Sequence, residues 1–237
     1  MKVALCLHGY FNSLVDNTSK GDMGYEYIKK HILNVVDTDV FIHSWESDLS
    51  EKLNKLYNPT KIKFEEQTNF SDFIKKNELD LLQGAPRSPQ TILSHFYSIQ
   101  QSFNLMYESG NQYDVVIKSR FDLGQINRAT SSNNVECINF KLSNPMDRIN
   151  MAWWPDKWMI NEGPADMWFY SGYETMRPFN KIFDSIQSYM KIDSMYRGFV
   201  KEFLKEGDIS NASVLYKKFF EDNNLWENRN PLICEKN

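Results

Sequence analysis

Two apolar runs with one helical face between them restrict this chain more than any other feature. Residues 2–8 (Lys-Val-Ala-Leu-Cys-Leu-His) read as a short buried strand, and residues 39–44 (Asp-Val-Phe-Ile-His-Ser) as a second. Between them lies a polar loop, 9–21, that carries Gly9, Asn12, Asn17, Ser19 and Gly21. A stretch over 22–36 follows and places Tyr25, Ile28, Ile32 and Val36 on one side of a helix. Strand, helix and strand in that order form a βαβ unit. Such a unit predicts an α/β fold with a mostly parallel sheet flanked by helices.

Further elements fit the same class. Lys61-Ile62-Lys63-Phe64-Glu65 alternates strictly, as a half-exposed strand does. The clearest helix spans 89–109. Ser88 is a good N-cap, and Pro89 sits where its missing N–H costs nothing. Ile92, Phe96, Ile99, Phe103 and Met106 line one face of it, and Gly110 supplies the stop. Strands are predicted over 114–119, 135–141 and 166–171, and helices over 174–190 and 211–222. The stretch 144–165, with Pro145, Pro155, Gly163 and Pro164, reads as one long loop, and loops of that length commonly cover sites. No repeat, linker or shift in composition divides the chain, so a single domain over 1–237 is expected.

Composition narrows the function classes. The 237 residues suffice to bury roughly 70% of the unfolded surface without staples. With 27 basic and 31 acidic residues the net charge is -4, which gives no broad cationic surface for nucleic acid or an anionic membrane. The three cysteines, Cys6, Cys137 and Cys234, show neither metal spacing nor an even count, so a reducing cytoplasmic setting is expected. The first residues lack a signal-peptide pattern, and no apolar run has the ~20 residues that a spanning helix needs. No G-x-S-x-G elbow follows the His8-Gly9 pair, which sets aside an α/β-hydrolase. No G-x-G-x-x-G or phosphate-loop motif occurs either.

Ligands of open α/β sheets bind beyond the carboxyl ends of the strands. The residues in that position are His8, Gly9, Tyr10, Phe11 and Asn12, then His43, Ser44, Trp45 and Glu46, then Arg120, Phe121 and Asp122. In Lys118-Ser119-Arg120-Phe121-Asp122 a buried strand ends in two charges that face the same way. A carboxylate there can hold a hard divalent cation, and a guanidinium can clamp a phosphate. The same pair also fits a plain strand-end ion pair. Arg87 precedes a helix N-terminus, where free N–H groups attract anions. Trp153, Trp154 and Trp158 crowd one loop and suit either a sugar-stacking wall or core packing.

Taken in chain order, these pieces resemble small bacterial and viral glycosyltransferase-like proteins of the GT-A fold. The resemblance rests on Lys2–Gly9, Asp39-Val40-Phe41-Ile42-His43-Ser44-Trp45, Tyr57-Asn58-Pro59-Thr60-Lys61-Ile62, Phe96-Tyr97-Ser98-Ile99, Tyr113–Asp122 and Asp166-Met167-Trp168-Phe169-Tyr170-Ser171-Gly172. It implies a transferase that moves a sugar from a nucleotide-diphosphate-sugar donor to a glycan or other hydroxyl acceptor. In such proteins a D-x-D motif binds manganese or magnesium and the donor diphosphate. Here the slot reads Arg120-Phe121-Asp122, so Asp122 is the metal candidate and Arg120 a direct phosphate contact. The resemblance places His8, Tyr10 and Asn12 near the nucleotide. It also makes Asp166 the base for the acceptor hydroxyl, with Glu162 its neighbouring contender. The altered motif leaves open a non-catalytic nucleotide-sugar-binding module.

Overall fold

The computed structural model describes residues 1–11, 14–15, 18–123, 140–152 and 163–232, without side chains for 12–20. β1 (Val3–Gly9) is followed by two short paired strands, β2 (Leu14–Val15) and β3 (Thr18–Ser19). Then come α1 (Lys20–Ile28), with a π turn at Lys29–Leu33, and β4 (Thr38–Ser44), which completes the predicted βαβ unit. α2 (Ser50–Tyr57), β5 (Lys61–Phe64), α3 (Ser71–Lys76), α4 (Pro89–Tyr107) and β6 (Val115–Arg120) follow. The later elements are β7 (Ile149–Ala152), β8 (Trp168–Ser171), α5 (Tyr173–Met176) and α6 (Ile182–Met190). Last are α7 (Met195–Phe203), α8 (Ala212–Asp222) and β9 (Arg229–Leu232).

Seven strands form one sheet in the order β5-β4-β1-β6-β8-β7-β9. β5, β4, β1 and β6 are mutually parallel, as are β7 and β9, while β8 runs antiparallel to β6 and to β7. The mostly parallel sheet flanked by helices is therefore present, with β8 its one reversed strand.

Registry decides which side chains share a face. Residues alternate between faces along a strand, and directly opposed residues of neighbouring strands point the same way. Cys6 stands opposite Phe41 and Lys118, and His8 stands opposite His43 and Arg120. On this face Ala4, Cys6, Phe41 and Val116 pack with Ile92, Phe96, Ile99 and Phe103 of α4 and with Phe219 and Phe220 of α8. On the other, Leu5, Leu7, Ile42 and Ile117 pack with Ile28 and Ile32 and with Leu53 and Tyr57 of α2. The Ser88 hydroxyl accepts the Thr91 N–H at 3.1 Å and caps α4 as expected.

Several expectations need correction. The helix predicted over 174–190 is broken into α5, a 3-10 turn at Arg177–Lys181, and α6. Pro178 lies in the break, where it cannot donate a backbone hydrogen bond. The stretch 144–165 is not all loop, since it holds β7. Of the predicted strand 135–141, residues 135–139 lie outside the described residues, and Phe140 and Lys141 form no strand.

Gly24 fixes how α1 meets the end of β6. A Cβ at Gly24 would lie 1.7 Å from the Phe121 carbonyl oxygen and 2.8 Å from its carbon. Backbone cannot yield there as a flexible side chain could. Gly24→Ala is expected to destabilise by about 3 kcal/mol, at the upper end for overpacking. Urea unfolding measures it, and a loss under about 0.5 kcal/mol would show that the Phe121 turn moves freely.

Candidate functional site

The face carrying Cys6 and Lys118 ends in polar side chains. Lys63, His43, His8 and Arg120 form a row across β5, β4, β1 and β6, each opposite the next. Beyond them opens a cleft of about 710 Å³. Its lining includes His8, Tyr10, Trp45, Arg87, His95, Arg120, Asp122 and Asp166, and the first residues of α8. The cleft thus lies where the strand ends predict a ligand site.

Arg120 is its electrostatic centre. Its Nε donates to Asp122 Oδ1 at 2.8 Å and its NH2 group to Asp122 Oδ2 at 2.6 Å. Its NH1 group reaches Asp166 Oδ2 at 3.3 Å. Planar guanidinium and carboxylate match in this fork, the strong form of an ion pair. Burial alone would lower the Arg120 pKa, but Asp166 and Asp122 outweigh it and raise it above the ordinary value. Burial likewise pushes the Asp166 carboxyl up, yet Arg120, then His95 and Lys118, hold it at about 2.

Lys118 lies beneath this group, fully buried, and its ammonium donates to the Asp166 carbonyl. It sits 5.1 Å from the Phe169 ring centre and 5.4 Å from that of Tyr216. Burial lowers its pKa to about 7, with Asp166 opposing and Arg120 assisting. A lysine in a strand core is the sequence signal that could have found it, for an unpaired one is rarely fully buried.

The histidines divide into two kinds. His43 is held on both sides, its Nδ1 2.6 Å from Ser98 Oγ and its Nε2 2.7 Å from Glu65 Oε1. Burial lowers its pKa to about 4 although Glu65 opposes, so it is neutral near pH 7. The consistent assignment has Nε2–H donating to Glu65 and the Ser98 hydroxyl donating to Nδ1, while Ser98 Oγ accepts the Gly9 N–H at 2.9 Å. His8 is only 3% exposed, yet neither ring nitrogen has a hydrogen-bond partner among the described residues. It stands edge-on to His95, ring centres 5.1 Å apart. His95 is half-buried, its Nε2 lies 3.2 Å from the Tyr216 hydroxyl, and burial lowers its pKa to about 3.

At the rim, the Tyr10 hydroxyl donates to Gln67 Oε1 at 2.8 Å, and Gln67 donates to Ser94. Trp45 is buried and stacks on Tyr97, so it is mostly packing. Arg87 is exposed, and its guanidinium meets the Pro86 carbonyl at 3.2 Å.

The cleft therefore brings together His8, Tyr10, Arg87, Arg120, Asp122 and Asp166 from distant parts of the sequence. Asn12, Glu162 and the tryptophans 153, 154 and 158 lie outside the described side chains. Sequence reasoning missed His95, Lys118 and the start of α8. His95 stands among Ile92, Phe96 and Ile99, the apolar face of α4, and a histidine beside such a stripe was its available signal.

Among the described residues the donor set is a poor one for a divalent cation. Both oxygens of Asp122 bind Arg120, as does one of Asp166. Among the described residues no group of three or more His, Cys, Asp or Glu side chains could hold a metal ion. No helix among them is long and apolar enough to cross a membrane.

No protein-family model matches the chain, and no curated protein does. Among solved structures there is similarity to a transferase. It is mouse xyloside xylosyltransferase 1 in its apo form, with a TM-score of 0.47 and 10% identity over 98% of this chain and 85% of that one. A similarity at that level fixes neither activity nor substrate.

Proposed function

We propose that the chain is a glycosyltransferase that takes a sugar from a nucleotide-diphosphate-sugar donor and passes it to a glycan or other hydroxyl acceptor. The observation that carries this reading is the cleft itself. Beyond the ends of parallel strands it joins the N-terminal ends of α4 and α8, which favour anions, to the carboxylate of Asp166. In the transfer, the acceptor oxygen bonds to the anomeric carbon as the bond to the diphosphate oxygen breaks. The nucleoside diphosphate leaves with that electron pair. Asp166 holds the acceptor hydroxyl through its oxygen not bonded to Arg120. With its pKa held at about 2, it is a weak base and orients the hydroxyl, whose proton passes to Glu162 or to an oxygen of the departing diphosphate. Glu162 remains the other candidate for the base.

Asp166→Asn tests the assignment. Turnover should fall about 10²-fold, the lower end for a positioned acid–base group. Donor dissociation constant should stay within about threefold, because the amide keeps the side chain's volume. Transfer rate, donor affinity and melting temperature are read on one preparation. Unchanged turnover moves the role to Glu162.

A second reading is a nucleotide-sugar-binding module without transfer. It is favoured by the commitment of Asp122 and Asp166 to Arg120. Donor hydrolysis in the absence of acceptor separates the two, since a binding module gives none.

A further inference from the structure

We infer that the cleft binds a diphosphate without a divalent cation, seating it between the N-termini of α4 and α8 against Arg87 and the floor residue His8. This rests on the donor reading above and names how that donor's charge is met.

The first argument concerns the charges already spent. Arg120 is answered by two carboxylates, and the Lys118 beneath them at most balances the remaining charge, so the group has no free cation to attract phosphate. Asp122, the one carboxylate left in the motif, has both oxygens on Arg120, and a cation there would share them with the guanidinium, whose positive charge repels it. Phosphate oxygens must find their donors elsewhere in the cleft.

The opposite wall supplies them. α4 and α8, of 19 and 11 residues, both begin at the cleft, with Thr91 of one and Ala212 and Ser213 of the other on its lining. A helix N-terminus carries roughly half a positive charge, and because Ser88 and Asn211 already accept the Thr91 and Ser213 N–H groups, the wall acts mainly through that partial charge. The two ends are held together by a tight backbone contact. A Cβ at Gly207, in the turn before α8, would lie 2.5 Å from the Gln83 carbonyl oxygen and 2.6 Å from the Ala85 nitrogen, in the segment before α4. The Tyr216 hydroxyl of α8 meets His95 of α4 on the same side. Arg87, at the α4 end, is the exposed cation of the rim.

His8 is the independent observation. A buried imidazole whose two nitrogens find no partner among the described residues is costly, and in a native fold such a group calls for a ligand. His8 lines this cleft, and a neutral imidazole keeps one N–H to donate. Charge on the rim, partial charge on the wall and a neutral donor on the floor together suit two linked phosphates.

The probes are inorganic pyrophosphate and the diphosphates of uridine, guanosine, cytidine and deoxythymidine, titrated calorimetrically into the whole chain. Each is measured in EDTA and again with manganese or magnesium. Pyrophosphate is expected to bind in EDTA, with metal changing its affinity less than threefold. Arg87→Gln, on the exposed rim where folding is not at risk, should weaken binding at least fivefold. His8→Phe, which keeps ring volume and loses both nitrogens, should do the same. Binding that disappears in EDTA and returns at least tenfold tighter with metal overturns the inference and leaves the donor reading standing. Pyrophosphate bound without metal, with no nucleotide bound tighter than it, supports the seat and overturns the donor reading. Absence of pyrophosphate binding in every buffer, or its indifference to both variants, overturns the seat.

Discussion

Replacing Arg120 by methionine is expected to cost about 2–3 kcal/mol of stability, because it leaves two carboxylates unpaired in one cleft. Breaking a fully buried pair costs about 3–5 kcal/mol, and the side chains here are 33% exposed for Arg120, 16% for Asp122 and 29% for Asp166, which places the loss below that range. The two partners should not contribute equally. Asp122 takes two bonds in fork geometry at 2.8 and 2.6 Å, while Asp166 takes one at 3.3 Å. In double-mutant cycles with Asp122→Asn and Asp166→Asn, the coupling of Arg120 to Asp122 should therefore be the larger. Urea unfolding at pH 7 supplies all the terms. A loss under about 0.5 kcal/mol for Arg120→Met would make the group an ordinary surface ion pair, the plain reading that the sequence also allowed.

That plain reading shows how far the residues alone could go. The spacing of Arg120 and Asp122 at a strand end predicted that they face the same way, and they do so closely enough to bond to each other. It could not show that Asp166, 44 residues after Asp122, would arrive beside them. That approach depends on β8 reversing direction next to β6, and strand direction is set by packing rather than by local pattern. The fork that joins Asp122 to Arg120 is likewise a contact that the spacing alone does not show.

Element by element, legibility followed whether local chemistry and burial agreed. α4 has a cap, a proline at its first position and an unbroken apolar stripe, and its predicted start holds. β7 has a buried Asn150 in its middle, which spoils the apolar run. Its amide nitrogen is satisfied by the carbonyls of Pro145, Arg148 and Tyr170, and its oxygen accepts from Asn230 of β9. β9 contains Pro231, which reads as a break yet is tolerated in a strand that ends the sheet. α7 turns Met195, Phe199 and Phe203 to the outside, so its apolar spacing points away from any core. The break before α6 falls at Pro178, inside a stretch whose apolar periodicity is otherwise helical.

The histidine row makes this chain acid-sensitive well above the range where carboxylates titrate. Burial holds His8 well below the ordinary histidine value, with Lys118, His95, Arg120 and His43 adding to the effect. Burial holds His43 at about 4, against the pull of Glu65 and with Lys63 assisting burial. In the unfolded chain both take up a proton near pH 6.5. As the pH falls from 6.5 toward 4, the unfolded state therefore binds two protons that the folded state refuses, and stability is lost on acidification. Two protons correspond to about 2.7 kcal/mol per pH unit at the steepest part. Against a total of about 5–15 kcal/mol, a fall from pH 6.5 to pH 4 would remove a third or more of the stability. His95, half-buried at the cleft, adds to the same limb. Asp166 acts lower, because its stabilisation is present above the ordinary aspartate value of 3.8 and fades only as the pH falls through about 2. Urea unfolding between pH 7.5 and 4.5 should show the free energy dropping with this slope. His8→Phe, which removes one of the three protons, should reduce the slope by about a third. A free energy that stays flat from pH 7 to 5, or a slope that His8→Phe leaves untouched, would mean that water or an anion reaches these imidazoles and lets them ionise in place.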